Sequence, residues 1–198
     1  MNIINSKIRI AVQKKGRLTE PSIEFLRSLG LNFDKSTDLI SKCKKTNTEL
    51  IFVRCSDIPS YVEKGIVDFG IVGENLIYEQ NSKAKILKQL DFGKCDLVIA
   101  VPKYRQKNNL QGDRIATSYP GILQDYLSKN NIQATIIYLK GSVELAPYLQ
   151  IADSICDITE TGRTIKENGL VEKEKVFSSQ AVVIGNSEEL WQQLNKQS

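Results

Sequence analysis

The sequence predicts an α/β protein built of two lobes, and three observations carry the prediction. Apolar, β-branched runs of strand length alternate with amphipathic segments of helical period. Glycine-bearing turns (QKKGR, VGEN and TETGR) follow several of these runs at the strand ends where α/β sheets bind ligands. One polar segment, KYRQKNNLQGD (103–113), interrupts the apolar rhythm and reads as a crossover between lobes.

Taken in order, KIRIAV (7–12) opens the chain as a buried strand. PSIEFLRSLG follows with apolar residues at 23, 25, 26 and 29, Thr19 as its N-cap and Gly30 as its stop. ELIFV (49–53) is the next strand; Asp57 caps the helix IPSYVEKG, which Gly65 ends. VDFGIV (67–72), DLVIAVP (96–102), RIATS (114–118) and ATIIYL (134–139) read as further strands. GSVELAP (141–147) sets Ser142 at a helix start and Glu144 in its first turn. ADSICDI is a short strand before TETGR, IKEN begins a helix after it, and VFSSQAVVI (176–184) is the last strand. The terminal helix SEELWQQLNKQ carries Leu190, Trp191 and Leu194 on one stripe, which suits either the core or a contact surface. Helices between strands imply mainly parallel sheets. Residues 1–103 and 173–198 are assigned to lobe I and 104–172 to lobe II, with a cleft between them.

Composition narrows the function. With 198 residues, 41% of them hydrophobic, the chain can fill one large core or two small ones. The net charge of +4 comes from 27 basic and 23 acidic residues spread without a basic tail, which suits small anionic ligands and not a nucleic-acid groove. The absence of a signal-like or membrane-length apolar stretch points to a cytoplasmic protein. The cysteines Cys43, Cys55, Cys95 and Cys156 are isolated, without the CxxC spacing of a zinc cage or redox dithiol, and read as small buried hydrophobes. Histidine is absent, which removes imidazole bases and Ser/His or Cys/His nucleophiles and leaves carboxylates, cations, hydroxyls and backbone dipoles.

Among the turns, DITETGRT is the richest. Backbone N–H groups with the hydroxyls of Thr159, Thr161 and Thr164 can surround a phosphate, and Gly162 admits close backbone approach. Asp157 and Glu160 would repel a phosphate but suit ribose hydroxyls or a Mg²⁺ ion carried by the ligand. An ordinary strand-to-helix turn fits the same residues. QKKGRL gathers Lys14, Lys15 and Arg17 around Gly16 after a strand, as a polyanion site or a solvated basic turn; strand polarity sends Arg54 to the same edge. Gly73 and Glu74 offer backbone and polar contacts, or close packing alone. Glu144 either serves its own helix or accepts from a ribose hydroxyl.

Six segments in series, QKKGRL, DIPSYVEKGIVDFGIVGENL, LDFGKCDLVIAVP, RIATSYP, GSVELAP and ADSICDITETGRTIKENGL, closely resemble the ATP phosphoribosyltransferase family over about residues 7–185. The resemblance implies a two-lobed fold like the type II periplasmic binding proteins, with the active site in the interlobe cleft. It implies attack of N1 of ATP on C1 of 5-phosphoribosyl 1-diphosphate (PRPP), with Mg²⁺ present, as the first step of histidine biosynthesis. On the family pattern Thr159, Glu160, Thr161, Gly162, Arg163 and Thr164 would cradle the 5-phosphate, with Asp157 and Glu144 near the ribose hydroxyls. Lys14, Lys15, Gly16, Arg17 and Arg54, with Gly73 and Glu74, would serve ATP and pyrophosphate. No general base is expected, because N1 attacks with its own lone pair, and any direct metal contact falls to Asp157. The first turn departs from the family's P-K-G-R, reading Gln13-Lys14-Lys15-Gly16-Arg17, so both lysines stand as candidates. A chain ending at Ser198 resembles the short form of the family, which works with a histidyl-tRNA-synthetase-like regulatory subunit in a hetero-octamer. A noncatalytic binding module of the same fold is the alternative. The paired adjacent acids of type I phosphoribosyltransferases are missing before the TG.

Overall fold

The computed structural model describes residues 7–33, 39–107 and 109–195. The chain divides into two compact units. The first holds residues up to Ile77, Asn81–Gly93 and everything from Gln180 on; the second holds Tyr78–Gln80 and Lys94–Ser179.

In the first unit, β1 (Ile8–Gln13), β2 (Ile40–Lys42), β3 (Thr48–Val53), β4 (Phe69–Gly73), β5 (Lys85–Gln89) and β11 (Ala181–Gly185) form one sheet in the order β2-β3-β1-β4-β11-β5. Its strands alternate in the period of two that buries both faces. Ile10, Val12, Leu50, Phe69, Ile71 and Val183 face α1 (Thr19–Ser28) and α6 (Glu188–Asn195); Ala11, Val72, Val182 and Ile184 face α2 (Ile58–Glu63). Trp191 stacks on Phe25 at 6.4 Å and meets Phe69 edge-on at 5.4 Å, so the stripe on α6 is core and not a contact surface. At Gly70 a Cβ would lie 2.3 Å from Ile58 Cγ2, which is how closely α2 rides on the β4 backbone.

The second unit contains β6 (Cys95–Pro102), β7 (Arg114–Thr117), β8 (Thr135–Tyr138), β9 (Ser154–Thr159) and β10 (Leu170–Ser179), in the order β10-β6-β9-β7-β8. Leu97, Ile99, Ile115 and Cys156 pack under α4 (Pro120–Lys129). Val98, Ala100, Ala116 and Ile155 pack on the opposite face with Ile165 of α5 (Arg163–Glu167) and Val143 of a short 3-10 turn, Val143–Leu145.

Several expectations are corrected. The sheets are mixed: β1 runs parallel to β3 and β4, and β7 to β8 and β9, but the remaining ladders are antiparallel. VFSSQAVVI is two strands in two sheets, divided at Gln180, because its halves pair with β6 and with β4. The segment 103–113 does not cross between lobes. Buried Asp113 draws it back onto the second unit, accepting two Arg105 N–H groups at 2.5 and 2.9 Å and Lys107 Nζ at 3.0 Å. Unit boundaries accordingly fall at Lys94 and Ser179 instead of 104 and 172, since β6 and the whole of β10 join the second sheet. Thr19 is the first helical residue and Leu18 the N-cap, while Asp57 holds the N-cap position of α2 without a side-chain cap hydrogen bond. Gly30 and Gly65 do end their helices, both at positive φ. The tail beyond Asn195, where the terminal helix was expected to continue, lies outside the described residues.

Candidate active site

Two sets of the expected residues collect at carboxyl edges, one in each sheet. In the first sheet Gln13 lies level with Val53, and β4 runs alongside with Ala11 opposite Gly70, so β1, β3 and β4 end at one edge. From that edge project the turn Lys14–Arg17, Arg54, and Gly73 with Glu74. Lys14 N–H donates to Val53 O at 2.8 Å, extending the ladder by one bond before the chain turns. Gly16 takes φ +141°, and the space for a Cβ is filled by the Gln13 amide, 2.3 Å away. That amide's Oε1 accepts the Leu18 N–H at 3.3 Å, so Gln13 supports the turn from inside, a role its residue type did not advertise. Lys14, Lys15, Arg17 and Arg54 are exposed, and Arg17 donates to Gly93 O at 3.2 Å. Burial pushes the Cys55 thiol up, while the Gly73 backbone and the Arg17 charge pull it back, which brings that thiol into the same group. Glu74, the first residue of α3 (Glu74–Glu79), donates its N–H to Gln180 O at 2.9 Å.

In the second sheet β7 stops at Thr117, opposite Cys156, whereas β9 continues through Asp157 to Thr159. The side of Asp157 that β7 would have paired is therefore open, and its other side pairs with Val98. Burial, with the Glu144 charge added, pushes the Asp157 carboxyl up to about 6 against the pull of the Ile158 N–H that it accepts at 2.8 Å. Glu144 stands on the 3-10 turn Val143–Leu145. Ser142 holds the N-cap position of that turn at φ +50° but makes no side-chain cap bond.

The loop after β9 is partly self-satisfied. Thr159 Oγ1 accepts the Gly162 N–H at 2.8 Å, so that amide serves the turn while the Thr159 O–H keeps its own hydrogen to donate. Gly162 is buried at φ +70°, with Glu172 Oε1 2.6 Å from where its Cβ would stand. Glu160, Thr161 and Thr164 are exposed. Arg163 points to solvent and pairs with Glu167 at 2.7 Å. A cavity of about 570 Å³ opens beside the loop, lined by Thr159 to Gly162 together with Lys103, Lys166 and Glu172. Glu172 was not anticipated, and neither was Thr117, whose Oγ1 accepts the Tyr119 N–H at 2.9 Å. No three His, Cys, Asp or Glu side chains gather as a metal cage among the described residues, where Asp157 and Glu144 interact as a pair.

Solved structures with low identity share this fold. A histidine kinase sensor domain with similarity to periplasmic binding proteins is 12% identical with a TM-score of 0.62, covering 98% of this chain and 89% of that one. A truncated arginine-bound ArgBP from T. maritima is 14% identical with a TM-score of 0.59, covering 96% and 93%. The architecture is therefore a two-unit α/β fold of the type II periplasmic-binding-protein kind.

Within that class the sequence is specific. The family model HisG: ATP phosphoribosyltransferase matches residues 54–197. Curated ATP phosphoribosyltransferases are 46% identical over 184 residues (Cytophaga hutchinsonii) and 42% over 196 (Phocaeicola vulgatus). They cover 91% and 96% of this chain, which spans 64% and 69% of their length. A chain of the ATP phosphoribosyl transferase (HisG:HisZ) complex from Thermotoga maritima is 32% identical with a TM-score of 0.80, covering 96% of this chain and 92% of that one. The chain belongs to the ATP phosphoribosyltransferase family.

No helix among the described residues is long and apolar enough to cross a membrane.

Proposed function

We propose that this chain condenses ATP with PRPP to N1-(5-phosphoribosyl)-ATP and pyrophosphate, the first step of histidine biosynthesis, in the cytoplasm. The observation that carries the reading is the carboxyl edge of the second sheet. There a half-buried carboxyl, Asp157, stands with Glu144 beside a loop whose glycine is held at positive φ, in a chain of this family. In the reaction the N1 lone pair forms the bond to C1 as the C1–O bond to pyrophosphate breaks, and the electron pair leaves with the pyrophosphate.

The loop Thr159, Glu160, Thr161, Gly162, Arg163 and Thr164 would hold the 5-phosphate, with Thr161 and Thr164 as the exposed hydroxyls. Asp157 and Glu144 would accept from ribose hydroxyls, which orients C1 for in-line attack. Lys14, Lys15, Arg17 and Arg54 would take the ATP phosphates and the departing pyrophosphate, whose growing charge these exposed cations stabilise, with Gly73 offering a backbone contact and Glu74 a polar contact to ATP. Mg²⁺ bound to PRPP would neutralise pyrophosphate charge. Two interacting carboxylates suit a cation arriving with substrate oxygens better than a resident one. A HisZ-type partner is proposed from the Thermotoga maritima complex; its kinship to histidyl-tRNA synthetase and a hetero-octameric assembly are proposed from the family resemblance alone.

Turnover of ATP and PRPP with Mg²⁺, read as phosphoribosyl-ATP, tests the reading on the chain alone and with such a partner added. Product that appears or rises on addition supports enzyme and partner together. No product under either condition from folded protein leaves a noncatalytic binding module of the same fold.

A further inference from the structure

Helix α3 ends in a carboxylate that the reaction above does not use. Both oxygens of Glu79 accept backbone N–H groups of α4, from Gly121 at 2.9 Å and Ile122 at 3.0 Å. α4 opens on Pro120, which has no N–H, so these are the first two amides of the helix and Glu79 takes both. Gly121 leaves room for the approach: a Cβ there would lie 3.2 Å from Glu79 O and 3.3 Å from each carboxylate oxygen. The neighbouring Tyr78 packs edge-on against Phe177 at 4.9 Å, a second clip on the same three residues of the second unit.

The consequence runs through the turn before α4. Tyr119 N–H closes that turn on Thr117 Oγ1 at 2.9 Å. Thr117 lies opposite Cys156 in the ladder and hydrogen-bonds its thiol, and Asp157 is the next residue on β9. The Glu79 and Asp157 charges both act on that thiol.

We propose that Glu79 is a positioning residue for the sugar-phosphate side of the site: by holding the start of α4 it fixes the β7–α4 turn and the Thr117–Cys156 contact that precedes Asp157. The proposal rests on the reading of Asp157 and its loop as the PRPP site. A carboxylate already occupies the first amides of α4, so that helix terminus orients the site and does not itself receive a substrate phosphate.

The test compares the wild-type chain with Glu79→Gln, Glu79→Ala and Gly121→Ala. PRPP binding with Mg²⁺ and no ATP is titrated by calorimetry, and KM for each substrate and kcat are then measured in the assay conditions that support turnover. Glu79→Ala and Gly121→Ala are expected to weaken PRPP binding and raise its KM about tenfold, the scale of losing hydrogen bonds to a charged acceptor. Glu79→Gln keeps one acceptor and the side-chain volume, and should fall between. KM for ATP and kcat should stay within about twofold, as for an interaction that serves one substrate's binding. Gly121→Ala keeps the Glu79 charge and gains helix propensity, so weaker PRPP binding without a lower melting temperature separates positioning from folding. PRPP affinity unchanged in both alanine variants, or equal rises in both KM values, overturns the proposal while the site reading stands. A folded wild-type chain that does not bind PRPP removes the site reading and the proposal with it.

Discussion

Asp157 is held in a state that opposes stability. Its carboxyl titrates near 6 in the folded chain, because burial and the Glu144 charge both disfavour ionisation, against about 3.9 in an unfolded one. The fold therefore binds this proton more tightly than the unfolded chain does. The stabilisation is full below about pH 3.9 and is lost as pH rises through 6. At pH 8 the ionised carboxylate costs about 3 kcal/mol, since each tenfold change in proton affinity is worth about 1.4 kcal/mol. Asp157→Asn keeps an oxygen for the Ile158 N–H and discards the charge. It should be more stable than wild type at pH 8 by about 1–2 kcal/mol, lose that advantage by pH 4, and turn over PRPP poorly. Thermal melts at the two pH values check it; an asparagine variant that melts lower at pH 8 would show that the carboxylate is not under strain. Legibility at this scale was uneven. Charges beside Gly16 and acids beside Gly162 announced themselves as types, but the supporting residues Gln13, Thr117 and Glu172 act through geometry that a neutral amide, a hydroxyl or one more surface glutamate does not signal.

The β9–loop–α5 element shows how a strand end becomes a candidate site. β9 outruns β7 beyond Cys156, the chain leaves the sheet at Thr159, and Gly162 turns it into the helix at φ +70°. Gly162→Val meets two obstacles. A β-branched residue at positive φ costs about 1–2 kcal/mol, and its Cβ would stand 2.6 Å from Glu172 Oε1, so either the carboxylate or the loop must move. The loop lies outside the packed faces of the sheet, so the melting temperature should drop by only a few degrees, while turnover at subsaturating PRPP falls about 100-fold. Wild-type turnover in this variant would sink the loop's assignment. β1, β3, β4, β6 and β7 were legible because their buried positions on both faces select Val, Ile, Leu and Ala, and edge strand β8 because its half-buried Ile136 and Ile137 are β-branched. β5 (KILKQ), β2 (ISK) and most of β10 (LVEKEKVFSS) were not. They are edge strands whose open sides favour lysine, glutamate and serine, and such residues read as loop.

At the scale of the whole chain, the division into two units was legible and its boundaries were not. A polar run such as 103–113 marks a linker only when its charges stay in water; here Arg105 and Lys107 close on buried Asp113 and return the run to the second unit. Antiparallel returns were equally hidden, since β10 and β11 are contiguous in sequence and part company at a single residue, Gln180. The resulting connectivity is unequal: the first unit is assembled from three stretches, whereas the second is almost one continuous segment, Lys94–Ser179. That segment has hydrophobic clusters on both faces of its own sheet. Its ends are adjacent, because Ser179 pairs with Cys95 across β10 and β6. Adjacent ends and a private core are what an excisable domain requires. Residues 94–179 expressed alone should therefore fold, with a cooperative melt and dispersed amide resonances. Without Tyr78–Gln80 the first amides of α4 lose their carboxylate, and stability should fall by about 1–2 kcal/mol relative to the same segment carrying a designed cap ahead of Pro120. A segment without a cooperative transition, capped or not, would mean that the second unit depends on the first for its fold, and that the two cores are not independent in free energy.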